Sequence, residues 1–342
     1  MNRSLTGLTK TPLWLLPLVL VTAMQPIGLA QIKQAESSDA VVRYGPVQIS
    51  EYRVGVTVRA KRGTCGQIMA MVAVPFECGE QSVELLQEDV TSHVAQLDYR
   101  LVDNVAEGGA RQLIVSIPYL PAGEEARALL TFEVRTRTIL PPDETASLTI
   151  PAKPDFQLKR FLGTSPLIET KHSKIKKLAR VILAKLEQPD ESTGEPEVTD
   201  WQRVEAIYDY VQGAIEYLEG PDKSAVNTLR DKQGDCQNIS ALFVALCRAS
   251  KVPARIVWVH NHNYAEFCLE DAAGEQHWFP CESAGKRAFG EMPLARTILQ
   301  KGDSFRVPER PRERLRYASD YLLGVPAPGS GKPSVSYIHE QL

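Results

Sequence analysis

The chain has 342 residues, 43% of them hydrophobic and 24% charged, with a formal net charge of −3. These are the proportions of an ordinary globular protein of about two domains, and they exclude fibrous, collagen-like and wholly disordered classes. With no basic stripe to neutralise phosphates, nucleic acid is not an expected partner.

Arg3 and Lys10 precede the apolar run PLWLLPLVLVTAM, and Gly28 and Ala30 stand two positions apart just after it. A charged start, a short apolar stretch and a small-x-small end form a secretory signal peptide over residues 1–30, cleaved near Ala30. The run is broken by Pro17 and falls short of the ~20 residues a bilayer span needs, so no stable membrane span is expected. Removing this segment takes away two cations and no acids, which moves the net charge from −3 to −5. The expected location is the periplasm or the extracellular medium.

Residues 41–150 predict a β-sandwich. YRVGVTVRA, GQIMAMVAV, AQLDYRLV, RQLIVSIPYL and ALLTFEVRTRTIL carry strand-like apolar positions, separated by turn material such as KRGT and PAGEE. No catalytic constellation stands out there, and a scaffold or interaction role is expected. The Pro-rich PPDETASLTIPAKPDFQ marks a boundary. Beyond it, residues 166–187 predict a helix with a solvated lysine face, and Asp200 is expected to cap a second helix bearing Val204, Ile207, Tyr208, Val211 and Ile215. A core domain is expected over residues 160–300. The Pro-, Gly- and Arg-rich segment 301–342 reads as an extended C-terminal tail.

The chemistry concentrates in GDCQNISALFVALCRASKVPAR, Gly234 to Arg255. Gly234 permits a tight turn and Asp235 is a good N-cap. Ile239, Leu242, Phe243, Leu246 and Cys247 follow at helical spacing, with further apolar residues on the other faces, so a buried central helix is predicted. Cys236 then lies in its first turn, among unpaired N–H groups at the positive end of the macrodipole. Both effects favour thiolate, and the same N–H groups are suited to hold an oxyanion.

Such a nucleophile needs a base, and the base an orienting partner. ARIVWVH, NHNYAEFCLED and HWFPCES predict strands, the last two a hairpin. Pairing in simple register about residue 272 sets His262 opposite Glu282 on one face. The same parity sends Cys268 and Cys281 to opposite faces, so no disulfide is expected between them. Six cysteines in an exported chain read first as three disulfides, and Cys65–Cys78 is the most plausible pair. Cys236, His260, His262, Cys268, His277 and Cys281 lie close in sequence, but no C-x-x-C or H-x3–5-H spacing occurs, so no metal and no cofactor are expected.

The run GDCQNISALFVALCRASKVPARIV, then HNYAEF, then HWFPCES resembles the core of the transglutaminase-like superfamily from about Asp200 to Ser283. The resemblance implies an α+β fold with a papain-like core, a central helix on an antiparallel sheet, behind the sandwich. It implies Cys236 as nucleophile, His262 as base and Glu282 at the position where an Asp is usual, with Trp278 and Pro280 matching an aromatic-x-Pro element. Tyr217 lies near where a further oxyanion donor is expected. The expected function is an exported thiol acyl-transfer enzyme, a cysteine peptidase/amidase or a transglutaminase, with a protein or peptide substrate and hydrolysis favoured. The alternative is an inactive transglutaminase-like binding or scaffold protein.

Overall fold

Alternating apolar residues make the first third of the chain β-structure. The computed structural model describes residues 41–105, 107–186, 198–318 and 320–342. They belong to a compact unit spanning Ser37–Leu342, and the expected signal segment lies outside the described residues. Six strands come first: β1 Arg43–Arg59, β2 Cys65–Val74, β3 Gln81–Val90, β4 Gln96–Val105, β5 Gly108–Leu120 and β6 Glu125–Leu140. Strand β3 was not among the sequence expectations. Its QSVELLQEDV sits at a sheet edge and is mostly exposed, so it lacks the buried alternation that betrays the other strands.

Helices follow. After a short α1, Phe156–Lys159, come α2, Ser173–Leu186, and α3, Asp200–Ala214. Helix α2 starts seven residues later than the periodicity suggested. Thr199, not Asp200, caps α3: its side chain accepts from Gln202 N while Gln202 reaches back, a reciprocal capping box. Asp200 instead accepts from Ile150 N at 2.7 Å and pairs with Arg203.

The core continues with β7 Glu216–Tyr217, α4 Ala225–Asp231, β8 Gln233–Gly234, α5 Cys236–Ala249, β9 Ala254–Val259, β10 His262–Glu270, β11 Gln276–Glu282, β12 Ala288–Phe289 and β13 Ile298–Lys301. The run of α5 from Asn238 to Arg248 is buried throughout, as an all-round apolar helix demands. It packs with α2, α3 and strands β9–β11 around Phe243, Leu246, Phe267 and Phe279.

The segment expected as a loose tail is built into the sheets. Strand β14, Tyr321–Pro326, pairs with β2, and β15, Ser334–Gln341, pairs with β1 from Tyr52↔Gln341 to Arg59↔Ser334. Pro, Gly and Arg mark its connections; SVSYIHEQ carries the pairing.

The two large sheets are antiparallel and extend past the expected domain limits. One has the order β15-β1-β6-β3; the other runs β12-β11-β10-β9-β13-β5-β2-β14, with β4 also on β5. A shared cluster that includes Val56, Val72, Val115 and Leu130 draws on β1, β2, β5 and β6, hence on both sheets. Strand β13 joins the two halves of the longer sheet, pairing with β9 on one side and with Ala110 and Gly109 of β5 on the other. A buried ion network sits at that seam. Lys301 Nζ lies 2.8 Å from Glu266 and 2.5 Å from Glu80, and Arg255 Nε lies 2.6 Å from the other Glu266 oxygen. The Arg255 guanidinium also rests 3.8 Å from the centroid of the Trp278 ring.

Candidate active site

The start of α5 is held by its own capping residues and by a neighbouring loop. Asp235 is extended, and its carboxylate accepts from Asn238 N at 2.9 Å. The buried Asn238 side chain accepts from Lys223 N at 2.7 Å and donates to Pro221 O at 3.3 Å. A Cβ on Gly234 would stand 2.7 Å from the Asn238 Cβ, so close backbone approach requires glycine here. Parallel pairing of β7 with β8 brings Tyr217 beside Gly234, two residues before Cys236. Desolvation and then the Cys236 charge push the Tyr217 hydroxyl up. Tyr217 is thus a neighbour of the thiol, about half exposed.

His262 and Glu282 meet, though in a different register from the expected one. The ladder runs Ala265↔Cys281, Cys268↔Trp278 and Glu270↔Gln276, two residues off the pairing about residue 272. His262 pairs with Val259 of β9 instead, across a tight turn in which Asn261 takes φ 55°. A shift of two keeps parity, so His262 and Glu282 still share a face, now as diagonal neighbours. His262 Nε2 and Glu282 Oε2 are 2.6 Å apart. The length of Glu spans this diagonal. The other Glu282 oxygen accepts from Ala284 N at 3.1 Å.

The Cys236 thiol lies close enough to the same imidazole to raise its pKa. With Nε2 held by Glu282, Nδ1 is the nitrogen left for sulfur. Burial pulls the His262 pKa down, but Cys236 and Glu282 outweigh it and push it up to about 9. Imidazolium is therefore the favoured form at neutral pH.

The remaining thiols are set apart by burial. All six cysteines are free, so the plausible Cys65–Cys78 pair does not form. Cys65 opens β2 and Cys78 lies beyond its far end, so the strand holds them roughly 30 Å apart. Cys268 packs with Trp278 and Phe161 on one face of the hairpin, Cys281 with the α5 side on the other, as parity requires. Burial pushes Cys268 up to about 12 and raises Cys65, Cys78, Cys247 and Cys281 as well.

Other residues at the site were not singled out from sequence. The Tyr208 hydroxyl donates to Glu282 O at 2.6 Å and accepts from Ala288 N at 3.0 Å, which fixes the backbone beneath the carboxylate. Tyr208 was legible only as part of a buried stripe. Tyr317 donates to the side chain of Gln237, next to Cys236, and lies 3.3 Å from Oδ1 of Asn263, next to His262. Arg316 donates to Gln237 O at 2.8 Å. Both belong to the segment read as a tail, where no local pattern marked them.

Among the described residues, Asp271, Glu275 and His277 bring possible metal-ligand atoms within 4.8 Å of one another. Asp271 there accepts from His277 at 2.8 Å and from Ala273 N and Glu275 N, so the group builds the hairpin turn.

Residues 189–283 match the transglutaminase-like superfamily, and the chain carries a transglutaminase-like core. A candidate cysteine protease from Cytophaga hutchinsonii is 17% identical, with a TM-score of 0.57 over 88% of this chain and 92% of that one. At that identity the likeness is one of fold. A candidate protease from Parabacteroides distasonis is 10% identical, with a TM-score of 0.26 over 72% of this chain and 48% of that one, about half its length. No curated protein matches the chain.

Proposed function

We propose that this protein is an exported thiol acyl-transfer enzyme that acts on peptide or glutamine carboxamide bonds through a Cys236 thioester. The observation that carries the reading is a single imidazole, His262, 2.6 Å from the Glu282 carboxylate and near enough to the Cys236 thiol for the two to titrate together.

The steps follow from that arrangement. In the resting pair His262 already holds the proton of Cys236, and the thiolate attacks the substrate carbonyl carbon, forming a C–S bond. N–H groups in the first turn of α5 receive the oxyanion. The C–N bond then breaks, with the His262 proton passing to the leaving amine. Water, deprotonated by His262, attacks the thioester and releases acid and free thiol. A second amine in place of water would give a transamidation product. Hydrolysis is favoured because it needs no second binding site. Glu282 orients the ring and stabilises the imidazolium without taking its proton.

The strands of residues 41–150, joined by β14 and β15, serve in this reading as a sandwich scaffold beside the core. Export rests on the signal-like first 30 residues. The likeness to protease folds supports a protein or peptide substrate.

The test is site-resolved iodoacetamide labelling of the mature protein against pH, beside His262→Ala. Fast labelling of Cys236 at pH 6–7 that slows in the variant supports the reading. Labelling no faster than an ordinary thiol would leave a binding protein with a dead site. Peptide or amide turnover that survives Cys236→Ala would refute the mechanism.

A further inference from the structure

Beside Cys236 lies a pocket of about 310 Å3 whose walls come from distant parts of the chain. Tyr52 of β1, Trp258 of β9, His260 and His339 of β15 bring four rings together, and Leu299 adds an apolar side chain. The volume sits at the lower limit of the ~300–1,000 Å3 typical of ligand sites, which suits a side chain rather than a whole cofactor.

The polar atoms of this wall satisfy one another. His339 Nε2 donates to Asp320 at 3.4 Å, leaving His339 Nδ1 to accept from the Tyr52 hydroxyl at 3.4 Å. The Tyr52 oxygen in turn accepts from His260 Nδ1 at 3.3 Å, and Asn261 Nδ2 donates to His260 Nε2 at 2.9 Å. Each proton is used once in this arrangement. Burial first, and then the neighbouring His339, holds the His260 pKa below the ordinary imidazole value, which favours a neutral His260. Apart from the Cys236–His262 pair, no Asp, Glu, Lys or Arg lines the pocket. A charged group entering it would lose water and find no counter-charge. Besides the amides of Gln237, Asn261 and Asn263, the wall offers ring edges and faces: Trp258 stands edge-on to Tyr317 at 5.2 Å, and Tyr52 to His260 at 5.4 Å.

We propose that this pocket is the side-chain subsite of the acyl-transfer reaction and that it takes an uncharged, aromatic side chain of the substrate. The inference rests on Cys236 being the reacting group, and it makes the first and last strands of the unit part of the specificity apparatus.

The test needs no known substrate. Alkylation of Cys236 is compared for iodoacetamide, N-benzyl-iodoacetamide, N-carboxymethyl-iodoacetamide and N-(2-aminoethyl)-iodoacetamide, each rate divided by its rate with glutathione. The normalised benzyl rate is expected to exceed both charged reagents by about tenfold or more. His339→Trp, which fills the pocket from its strand, is expected to abolish the benzyl preference. Tyr52→Phe leaves the His260 Nδ1–H without its acceptor and His339 Nδ1 without its donor, and is expected to narrow the gap to the charged reagents; it covers the case in which His339→Trp fails to fold. Equal normalised rates in the wild type, or a benzyl preference unchanged in a folded variant, would overturn the proposal. The ratio is readable even if Cys236 reacts no faster than glutathione, an outcome that would count against the thiolate reading alone.

Discussion

The carboxylate of Glu282 holds Nε2 of His262 at 2.6 Å across a diagonal of the β10–β11 pairing, while Tyr208 donates to the Glu282 carbonyl. Length, direction and backbone support of the carboxylate all bear on whether the imidazole faces Cys236.

Glu282→Asp keeps the charge but shortens the side chain that spans the diagonal. A displacement of about 1 Å in a catalytic group costs on the order of 100-fold, and kcat/KM is expected to fall by about that much. Steady-state kinetics with unchanged circular dichroism checks it. Activity equal to wild type would show that the diagonal distance is not limiting.

The raised His262 pKa sets the alkaline limb of activity. As pH rises through about 9, the imidazolium gives up the proton destined for the leaving amine, and turnover is expected to fall. Glu282→Gln removes one of the bonds that hold the value up, so the limb should move to lower pH. Stability follows the same sign: protonation favours the fold fully below about 6.5, and that contribution is lost as pH rises towards about 9. A pH–kcat/KM profile and a pH series of denaturant midpoints read the two effects separately.

Tyr208→Phe leaves Glu282 O and Ala288 N without the hydroxyl that joins them. A buried group left unpaired costs about 1–3 kcal/mol, and urea unfolding should show a loss in that range. A larger drop in kcat than in substrate affinity is expected, because the displaced strand carries Glu282.

Lys301→Met removes the cation between Glu80 and Glu266 at the seam of the long sheet. Breaking a buried pair on one side costs about 3–5 kcal/mol, so the variant should be strongly destabilised. A double change of Lys301→Met with Glu80→Leu should recover part of the loss, as measured by denaturant midpoints.

The α5 helix, its Asp235 cap, the placement of Cys236 in the first turn and the shared face of His262 and Glu282 were all legible in the residues. Each depends on a local period, 3.6 for the helix and 2 for the strands, or on one capping side chain. Parity also survived an error in register, because the hairpin slipped by two residues rather than one. The capping of α3 by Thr199 was missed for want of weighing the reciprocal bond from Gln202.

What the chain determined by itself was therefore the local geometry: which residues turn, which face the core and which thiol starts the buried helix. The tertiary structure decided the rest. Strand β13 carries one sheet from the β-rich first third into the core, the last strand pairs with the first, and Tyr52, Tyr317 and His339 arrive at the Cys236 site from 81 to 184 positions away in sequence. Such contacts depend on long-range pairing and on packing volume, neither of which leaves a period in the sequence for a neighbouring residue to reveal.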